Sequence, residues 1–333
     1  MEQTRKYNIL VTGGCGFIGW NFIRRLYENQ DKIKFNTIIN LDKLDYSAIN
    51  CDKEPYYDDR YRFIHGNIKY NSSSIFKEYN IDVVVNFAAQ THVDNSIKSS
   101  YSFVDNNIVG MHILMEEAHQ YWTRKKVDGR FIQISTDETM GSVEDNYGNS
   151  FNEFTPYHPN NPYAATKAAA ELLIKSYIHT YKFPGIITNC SNNYGKGQHK
   201  EKLIPKVVEC YANDLPVPVY GDGKQSRDWI YVDDHCDGII DTILKGQIGE
   251  HYLFGTNETI YNIDLINNIL SECYQYYPAL TNIEHITDRL GHDRTYRIDY
   301  SKAERELGWT PKTSLKEGLE KTVLWYINKY QNE

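Results

Sequence analysis

Tyr7–Gly19, YNILVTGGCGFIG, joins an apolar run to the glycine pattern Gly13-x-x-Gly16-x-x-Gly19. Tyr7–Thr12 reads as a buried strand, and the residues from about Trp20 to Asn29 read as a helix. Glycines between the two let the backbone turn tightly and come close to a pyrophosphate, which then sits on the helix N-terminus. Tight turns use glycine for their own sake, so the pattern takes its meaning from its surroundings. A second strand, Thr37–Leu41, follows the helix and ends in Asp42. Asp42 lies 42 − 16 = 26 residues after Gly16, close to the ~20 expected of an acid that bonds an adenosine ribose. A carboxylate there repels a 2′-phosphate, which favours NAD over NADP as the ligand of this fingerprint.

The same alternation continues outward. Tyr61–His65 reads as a third strand followed by Gly66-Asn67-Ile68, and Ile81–Phe87 as a fourth followed by Ala88-Ala89-Gln90-Thr91. Asn107–Trp122 is an amphipathic helix with Ile108, Met111, Leu114, Met115 and Ala118 on one face. Phe131–Ser135 and Ile186–Asn189 supply a fifth and a sixth strand. Strands alternating with helices predict an α/β protein, a doubly wound parallel sheet of the Rossmann kind. After that the rhythm breaks into shorter segments: EKLIP (201–205), LPVPVYGDG (215–223), SRDWIYVDD (226–234) and DRLGHDRTY (288–296). The expectation is a dinucleotide-binding domain over 1–190. A smaller C-terminal lobe over 191–333 serves mainly the substrate, with some segments returning to the sheet. Leu307, Trp309, Leu315, Leu319, Val323 and Tyr326 read as a packing face.

Chemistry gathers where the fifth strand ends. FIQIS runs straight into Thr136, Asp137 and Glu138, at the strand end where open α/β sheets hold ligands. Two adjacent carboxyl groups can divide the roles of acid and base if their environments separate their pKa values. Tyr163 and Lys167 lie four apart on the helix opened by Pro162, hence on one face. A lysine beside a phenol favours the phenolate, which predicts a lowered Tyr163 pKa. Amides at Asn192 and Asn193 suit a carboxamide or sugar hydroxyls. Lys202, Arg227 and Arg289 are candidates for a diphosphate. Asp233-Asp234-His235 looks like a ligand set but reads as structural, since no further ligand is spaced to join it, and no metal is expected.

Composition sets limits. Thirty-six Lys and Arg against 44 Asp and Glu leave a formal charge of −8, which argues against nucleic acid or an anionic membrane as a partner. No apolar run approaches the ~18 residues of a membrane span, and the N-terminus has no signal-peptide core. A cytoplasmic protein is expected. The six cysteines, Cys15, Cys51, Cys190, Cys210, Cys236 and Cys273, show no CxxC pair and read as reduced thiols.

GGCGFIG, the Tyr163/Lys167 pair and NCSNNYG together resemble the extended short-chain dehydrogenase/reductases that act on nucleotide sugars. Within that group the chain most resembles the dTDP-glucose 4,6-dehydratases, through LDKLDYS, HVDNSI, ISTDE, NPYAATKA, EKLIP, VYGDGKQSRDWIYVDDH and DRLGHDR. The resemblance spans nearly the whole length. It implies C4 oxidation by a tightly bound NAD that is regenerated each turnover, loss of water across C5 and C6, and hydride return to C6. The product is a 4-keto-6-deoxy sugar nucleotide for rhamnose-type deoxysugar biosynthesis. Tyr163 with Lys167 and Thr136 takes the C4 hydroxyl proton, Glu138 the C5 proton, and Asp137 protonates the leaving hydroxyl.

By the same likeness the cofactor contacts are Gly13, Gly16, Phe17, Ile18, Gly19, Asp42, Lys43, Leu44, Asp45, Asn67, Ile68, Phe87, Ala88, Ala89, Gln90, Asn106, Tyr163, Lys167 and Asn193. The substrate contacts are Thr91, Thr136, Asn192, Lys202, Leu203, Pro218, Val219, Tyr220, Arg227, Asn257, Asp288, Arg289, His292 and Tyr296. A UDP-glucose 4,6-dehydratase is the alternative, since one methyl discriminates by only about 1–3 kcal/mol. A nucleotide-sugar 4-epimerase is a further alternative, against which Asp137 and Glu138 argue. The resemblance also implies a homodimer through a four-helix bundle, with Ile108, Met111, Met115, Ala168, Leu172 and Leu173 on the helices concerned. The chain departs from the family's pattern at Asn67 (for aspartate), Gln90 (glutamate), Asn95 (arginine), Thr139-Met140 (Val-Tyr) and Leu290 (proline).

Overall fold

In the computed structural model, which describes residues 5–49, 57–146, 149–279 and 281–332, the chain opens with strand and helix in alternation. The order is β1 (Lys6–Thr12), α1 (Phe17–Glu28), β2 (Lys34–Asp42), β3 (Tyr61–His65), α2 (Ile68–Tyr79) and β4 (Val83–Asn86). Two short helices, α3 (Val93–Lys98) and α4 (Tyr101–Phe103), lead through a π-helical turn, Val104–Gly110, into α5 (Met111–Lys125). β5 (Arg130–Thr136), α6 (Pro162–Tyr181) and β6 (Gly185–Cys190) follow. The second half holds β7 (Asn192–Tyr194), α7 (Leu203–Ala212), β8 (Val217–Tyr220), β9 (Ser226–Tyr231), α8 (Val232–Lys245) and β10 (His251–Phe254). It ends with β11 (Thr259–Tyr261), α9 (Asn262–Tyr274), β12 (Ile283–Ile286), α10 (Ser301–Leu307) and α11 (Leu315–Asn332).

Seven strands form one parallel sheet in the order β3-β2-β1-β4-β5-β6-β10, which is the doubly wound arrangement expected. β4, VVVN, and β6, GIITNC, are buried throughout because helices cover both faces. One face packs on Phe22 and Ile23 of α1 with Ile239 and Ile240 of α8. The other packs on Met111, Leu114 and Met115 of α5 with Ala170 and Ile174 of α6. Each such aliphatic side chain contributes about 1.5–3 kcal/mol by burial. Strand order reverses between β1 and β4, and the crevice at their carboxyl ends is where such sheets bind ligands.

A second core builds the lobe, from Val207 and Val208 of α7, Leu265 and Ile269 of α9, and Val323 and Tyr326 of α11. Around it lie a three-stranded sheet, β11-β9-β7, and a pair, β12-β8. Leu307, Trp309, Leu319, Val323 and Tyr326 are buried as expected of a packing face, and Leu315 is partly so.

Three expectations meet a different outcome or a sharper one. The helix expected from Asn107 begins its α-helical part at Met111, because the preceding residues form the π turn. Cys190, Cys210, Cys236 and Cys273 are buried free thiols, but Cys15 is disulfide-bonded, against the expectation of six reduced thiols. The Ile49 N–H donates to the Cys15 carbonyl at 2.7 Å, which folds the chain after β2 back onto the glycine turn; Cys51 lies outside the described residues. Asp233-Asp234-His235 is structural. Asp233 pairs with Arg24, Asp234 accepts from the Thr313 N–H at 2.8 Å, and His235 Nδ1 meets Asn193 Oδ1 at 2.8 Å.

Candidate active site

β5 ends at Thr136, and Asp137–Met140 turns away as a single 3₁₀ turn. The Thr136 hydroxyl caps that turn, accepting from the Glu138 N–H at 3.4 Å. Its carbonyl accepts from Asn189 Nδ2 at 2.7 Å and from the Thr139 hydroxyl at 3.0 Å. The backbone of the Thr-Asp-Glu set is therefore fixed from the neighbouring strand. Across from it, Asn161 caps α6 by accepting from the Ala164 N–H at 2.9 Å, with Pro162 in the first turn. That start places Tyr163 and Lys167 one helical turn apart, both buried. Asn161 Nδ2 also reaches Glu138 Oε2 at 3.5 Å, and Lys167 Nζ donates to the Ile134 carbonyl at 2.7 Å.

Burial governs the charges here. It pushes the Asp137 carboxyl well above the usual range, with the charges of Glu138 and Asp228 adding to it. Asp137 is 2 % exposed, and its Oδ2 has no hydrogen-bond partner among the described residues. Glu138 is raised by burial too, with Asp293 adding to it, but Lys202 opposes that rise, while Arg227 opposes the rise of both carboxyl groups. Two neighbouring carboxyl groups thus stand in unlike environments, the condition for dividing acid from base.

The phenol behaves otherwise than its spacing from Lys167 predicts. Burial pushes Tyr163 well above the ordinary value, Glu138, Cys190 and Asp137 add to that, and the Thr136 hydroxyl bond opposes it. Lys167 is itself lowered by burial to about 8, with Glu171 acting against the fall. Desolvation and the neighbouring Glu138, Cys190 and Asp137 outweigh the Thr136 bond, so a lowered phenol pKa is not what these side chains produce by themselves.

The glycine turn is a cradle that side chains would fill. Gly13 has φ +71°, and a Cβ on it would stand 2.7 Å from the Ala88 nitrogen. A Cβ on Gly19 would stand 2.4 Å from the Gly13 carbonyl oxygen, so α1 packs directly on the turn. Asp42 ties β2 to this turn by accepting from the N–H groups of Cys15 at 2.9 Å and Leu44 at 2.8 Å. Asn67 spends its Oδ1 capping α2, accepting from the Lys69 N–H at 2.9 Å.

One cleft runs from the glycine turn to the carboxyl pair. Its walls include Gly13, Gly16, Phe17, Ile18, Gly19, Asp42, Lys43, Asp45, Asn67, Ile68, Phe87, Ala88, Ala89, Gln90 and Asn106. Thr91, Thr136, Asp137, Glu138, Tyr163, Lys167, Asn192, Asn193 and Lys202 line it as well. Leu44 stands outside this wall, 44 % exposed with φ +55°. The remaining expected residues belong to the lobe. Tyr220, Arg289 and His292 cluster with Asp94 of α3 and with Asp288. Arg227 is buried, donates to the carbonyls of Ser226, Arg294 and Asp293, and lies over the Tyr296 ring. Leu203 and Val219 pack in the lobe core, as Pro218 continues β8 beside them. Asn257 is held by Asp228 and by the Ser150 hydroxyl.

Compared with known proteins, residues 10–322 match the family model described as GDP-mannose 4,6 dehydratase. A dTDP-glucose 4,6-dehydratase of Xanthomonas campestris pv. campestris is 40 % identical over 332 residues, covering 96 % of this chain and 92 % of that protein. The chain belongs to the dTDP-glucose 4,6-dehydratase family. Among solved structures of that family, DesIV from Streptomyces venezuelae, crystallised with NAD and dTDP bound, superposes with a TM-score of 0.86. The identity is 36 %, over 97 % of this chain and 98 % of that one. The enzyme from Bacillus anthracis, in complex with NAD, gives 0.85 at 37 %, over 97 % of each chain.

For a member of this dehydratase family, some residues around the site could not be picked out from sequence. Asn107 exchanges hydrogen bonds with the Gln90 backbone, 2.8 Å to its N–H and 3.0 Å to its carbonyl, and so pins the loop after β4. The asparagine pair that interrupts an apolar helix face was the available signal. Glu171 is fully buried and accepts from Ser135 at 2.5 Å, Tyr157 at 2.9 Å and Asn189 at 3.0 Å. It sits one turn beyond Lys167, and nothing in its spacing distinguishes it from a surface glutamate.

Proposed function

We propose that the chain is an NAD-dependent dTDP-glucose 4,6-dehydratase, forming dTDP-4-keto-6-deoxyglucose and water. One observation carries this reading: the Thr136-Asp137-Glu138 turn shares a cleft with Tyr163, Lys167 and the glycine cradle. The fit of the cofactor rests on that cradle, where Gly13 and Gly19 admit no side chain and α1 begins with no side-chain cap on its first N–H groups. Gly13, Gly16, Ile18, Asp42 and Asn67 would hold its adenosine and pyrophosphate, and Ala88, Tyr163 and Lys167 of the same cleft would face its reactive end. The chemistry NAD supplies when bound is a two-electron oxidation at C4 and its reversal at C6, together with a positive charge beside the phenol.

The chain's own groups move the protons. Tyr163 Oη takes the C4 hydroxyl proton, held in place by the Thr136 hydroxyl, while Lys167 keeps positive charge behind the ring. Glu138, raised by burial but opposed by Lys202 and Arg227, is the base for the C5 proton. Asp137, held more firmly in its neutral form, gives its proton to the departing C6 hydroxyl. Residues 191–333 serve mainly the nucleotide, with Lys202, Arg227 and Arg289 for its diphosphate.

The enzyme works as a homodimer through α5, α6 and the π turn. In support, Val104, Val109 and Leu172 are exposed there, while Met111, Met115 and Ala168 of the expected set pack inward. No described helix is long and apolar enough to cross a membrane, which suits a cytoplasmic setting.

The test is incubation with dTDP-glucose and, separately, UDP-glucose, without added NAD, each product read by mass and proton NMR. A product lighter by one water, faster from dTDP-glucose, is expected. A faster reaction with UDP-glucose would move the nucleotide assignment, and a galactose isomer with no water lost would make the protein an epimerase.

A further inference from the structure

Asp94 stands in the first turn of α3, where its carboxylate meets residues of the lobe close to Lys202 of the cleft wall. Arg289 reaches it from 195 residues away, with Nε at 2.5 Å from Oδ1 and Nη2 at 3.0 Å from Oδ2. The Tyr220 hydroxyl donates to the same Oδ2 at 3.2 Å, and the guanidinium carbon lies 5.0 Å from the centre of the Tyr220 ring. One edge of the guanidinium is thus fixed by the carboxylate and one face by the ring. A guanidinium carries five N–H groups, of which the carboxylate takes two. The other three, two on Nη1 and one on Nη2, form the fork that grips phosphate oxygens bidentately.

The pair is a quarter exposed on both sides, 24 % for Arg289 and 25 % for Asp94. Exposed ion pairs of this kind add little to stability, so its geometry has more to offer than its energy. Burial raises the Asp94 carboxyl, but the Arg289 guanidinium more than offsets this and holds it below the ordinary value. The carboxylate is therefore charged at neutral pH. Lys202, whose Nζ donates to the Thr91 carbonyl at 3.2 Å, adds a cation between the pair and the carboxyl dyad.

We propose that Asp94 is a positioning residue for the diphosphate of the nucleotide sugar. It anchors Arg289 and Tyr220 of the lobe to α3, so that the Nη1–Nη2 edge of Arg289 is presented ready-made to the diphosphate. This inference rests on the dTDP-glucose reading above. A carboxylate that competed with phosphate for the guanidinium would do the reverse. The two roles predict opposite signs.

The experiment compares Asp94→Ala, Asp94→Asn, Arg289→Ala and the Asp94→Ala/Arg289→Ala double variant as purified holoenzymes. KM and kcat for dTDP-glucose are measured, and the Kd of dTDP is read by calorimetry. Positioning predicts that Asp94→Ala raises KM and the dTDP Kd about tenfold and moves kcat less than threefold. Asp94→Asn, which keeps the shape and loses the charge, falls between Asp94→Ala and the wild type. In the Arg289→Ala background the Asp94 change adds nothing. Tighter dTDP binding by Asp94→Ala, an unchanged KM, or additive losses in the double variant would each overturn the proposal. Should Asp94→Ala not fold, Tyr220→Phe removes one bond to the same carboxylate and must raise KM by a few fold; a wild-type value overturns it equally. Wild-type protein that neither turns over dTDP-glucose nor binds dTDP condemns the functional reading instead.

Discussion

The two ends of the cleft are built on different electrostatics. At the reacting end Asp137, Tyr163 and Lys167 are buried to within a few per cent, and burial is the first cause of every shift there. Beside the other end, in the lobe, Arg289 and Asp94 are a quarter exposed, the charge of each outweighs the burial of the other, and His292 leans on Asp288 at 2.6 Å. Desolvation tunes the strength of an acid or a base, whereas exposed ion pairs steer and orient and are screened by salt. On the reading proposed above, the first kind of site makes and breaks bonds to hydrogen, and the second holds a polyanion without trapping it.

That contrast can be broken from its strong side first. Tyr163→Phe removes the proposed proton acceptor from the dry end and should lower kcat by about 10⁴-fold with little change in dTDP binding. A loss shared equally between kcat and binding would blur the division. Glu138→Gln and Asp137→Asn should each cost on the order of 10²–10³ in kcat. Glu138→Gln should also stop exchange of the C5 proton with solvent; exchange at the original rate would remove Glu138 from that step. Neither substitution should lower the melting temperature, because each replaces a group whose ionised form burial disfavours.

The pH dependence sharpens the comparison further. A lysine lowered from its ordinary 10.5 to about 8 sheds its proton as pH rises through about 8, so kcat/KM should fall above that point. The same lowering disfavours the folded state most below about pH 8 and is relieved as pH climbs toward 10.5. A profile flat to pH 10 would show that Lys167 does not set the limb. The smallest effect belongs to the open end: raising salt from about 0.05 to 0.5 M should raise KM some threefold through screening while kcat stays put. A salt effect on kcat would mean that the lobe side and the dry end are not separable.

The sheet was legible because its inner strands are buried on both faces and its glycine turn, Asp42 and the Thr-Asp-Glu set fall at strand ends. Tyr61–His65 is identical in reading and structure, and FIQIS differs from β5 by one residue at each end. The lobe was less so. Its strands are three to six residues long and pair across the chain, β8 with β12 and β7 with β9, which no local period announces. The carboxyl pair and Tyr163/Lys167 could be named from order and spacing, but the direction of the Tyr163 shift could not. It depends on how much water the fold removes and on Glu138 being brought beside the phenol, and neither is a property of neighbours in sequence.

The edge position of β10 bears on how the protein can be made. β6, with every residue buried, has β10 as its outer neighbour, and β10 is drawn from residues 251–254. A nascent chain that has emerged only as far as residue 190 therefore carries all of its reacting side chains on a sheet whose last strand is still unsynthesised. The open edge GIITNC, buried in the finished fold, is then free to pair with another copy. Translation pauses or truncations before residue 254 should yield aggregates rather than a weak enzyme, and the two halves should complement one another only when supplied together as they fold.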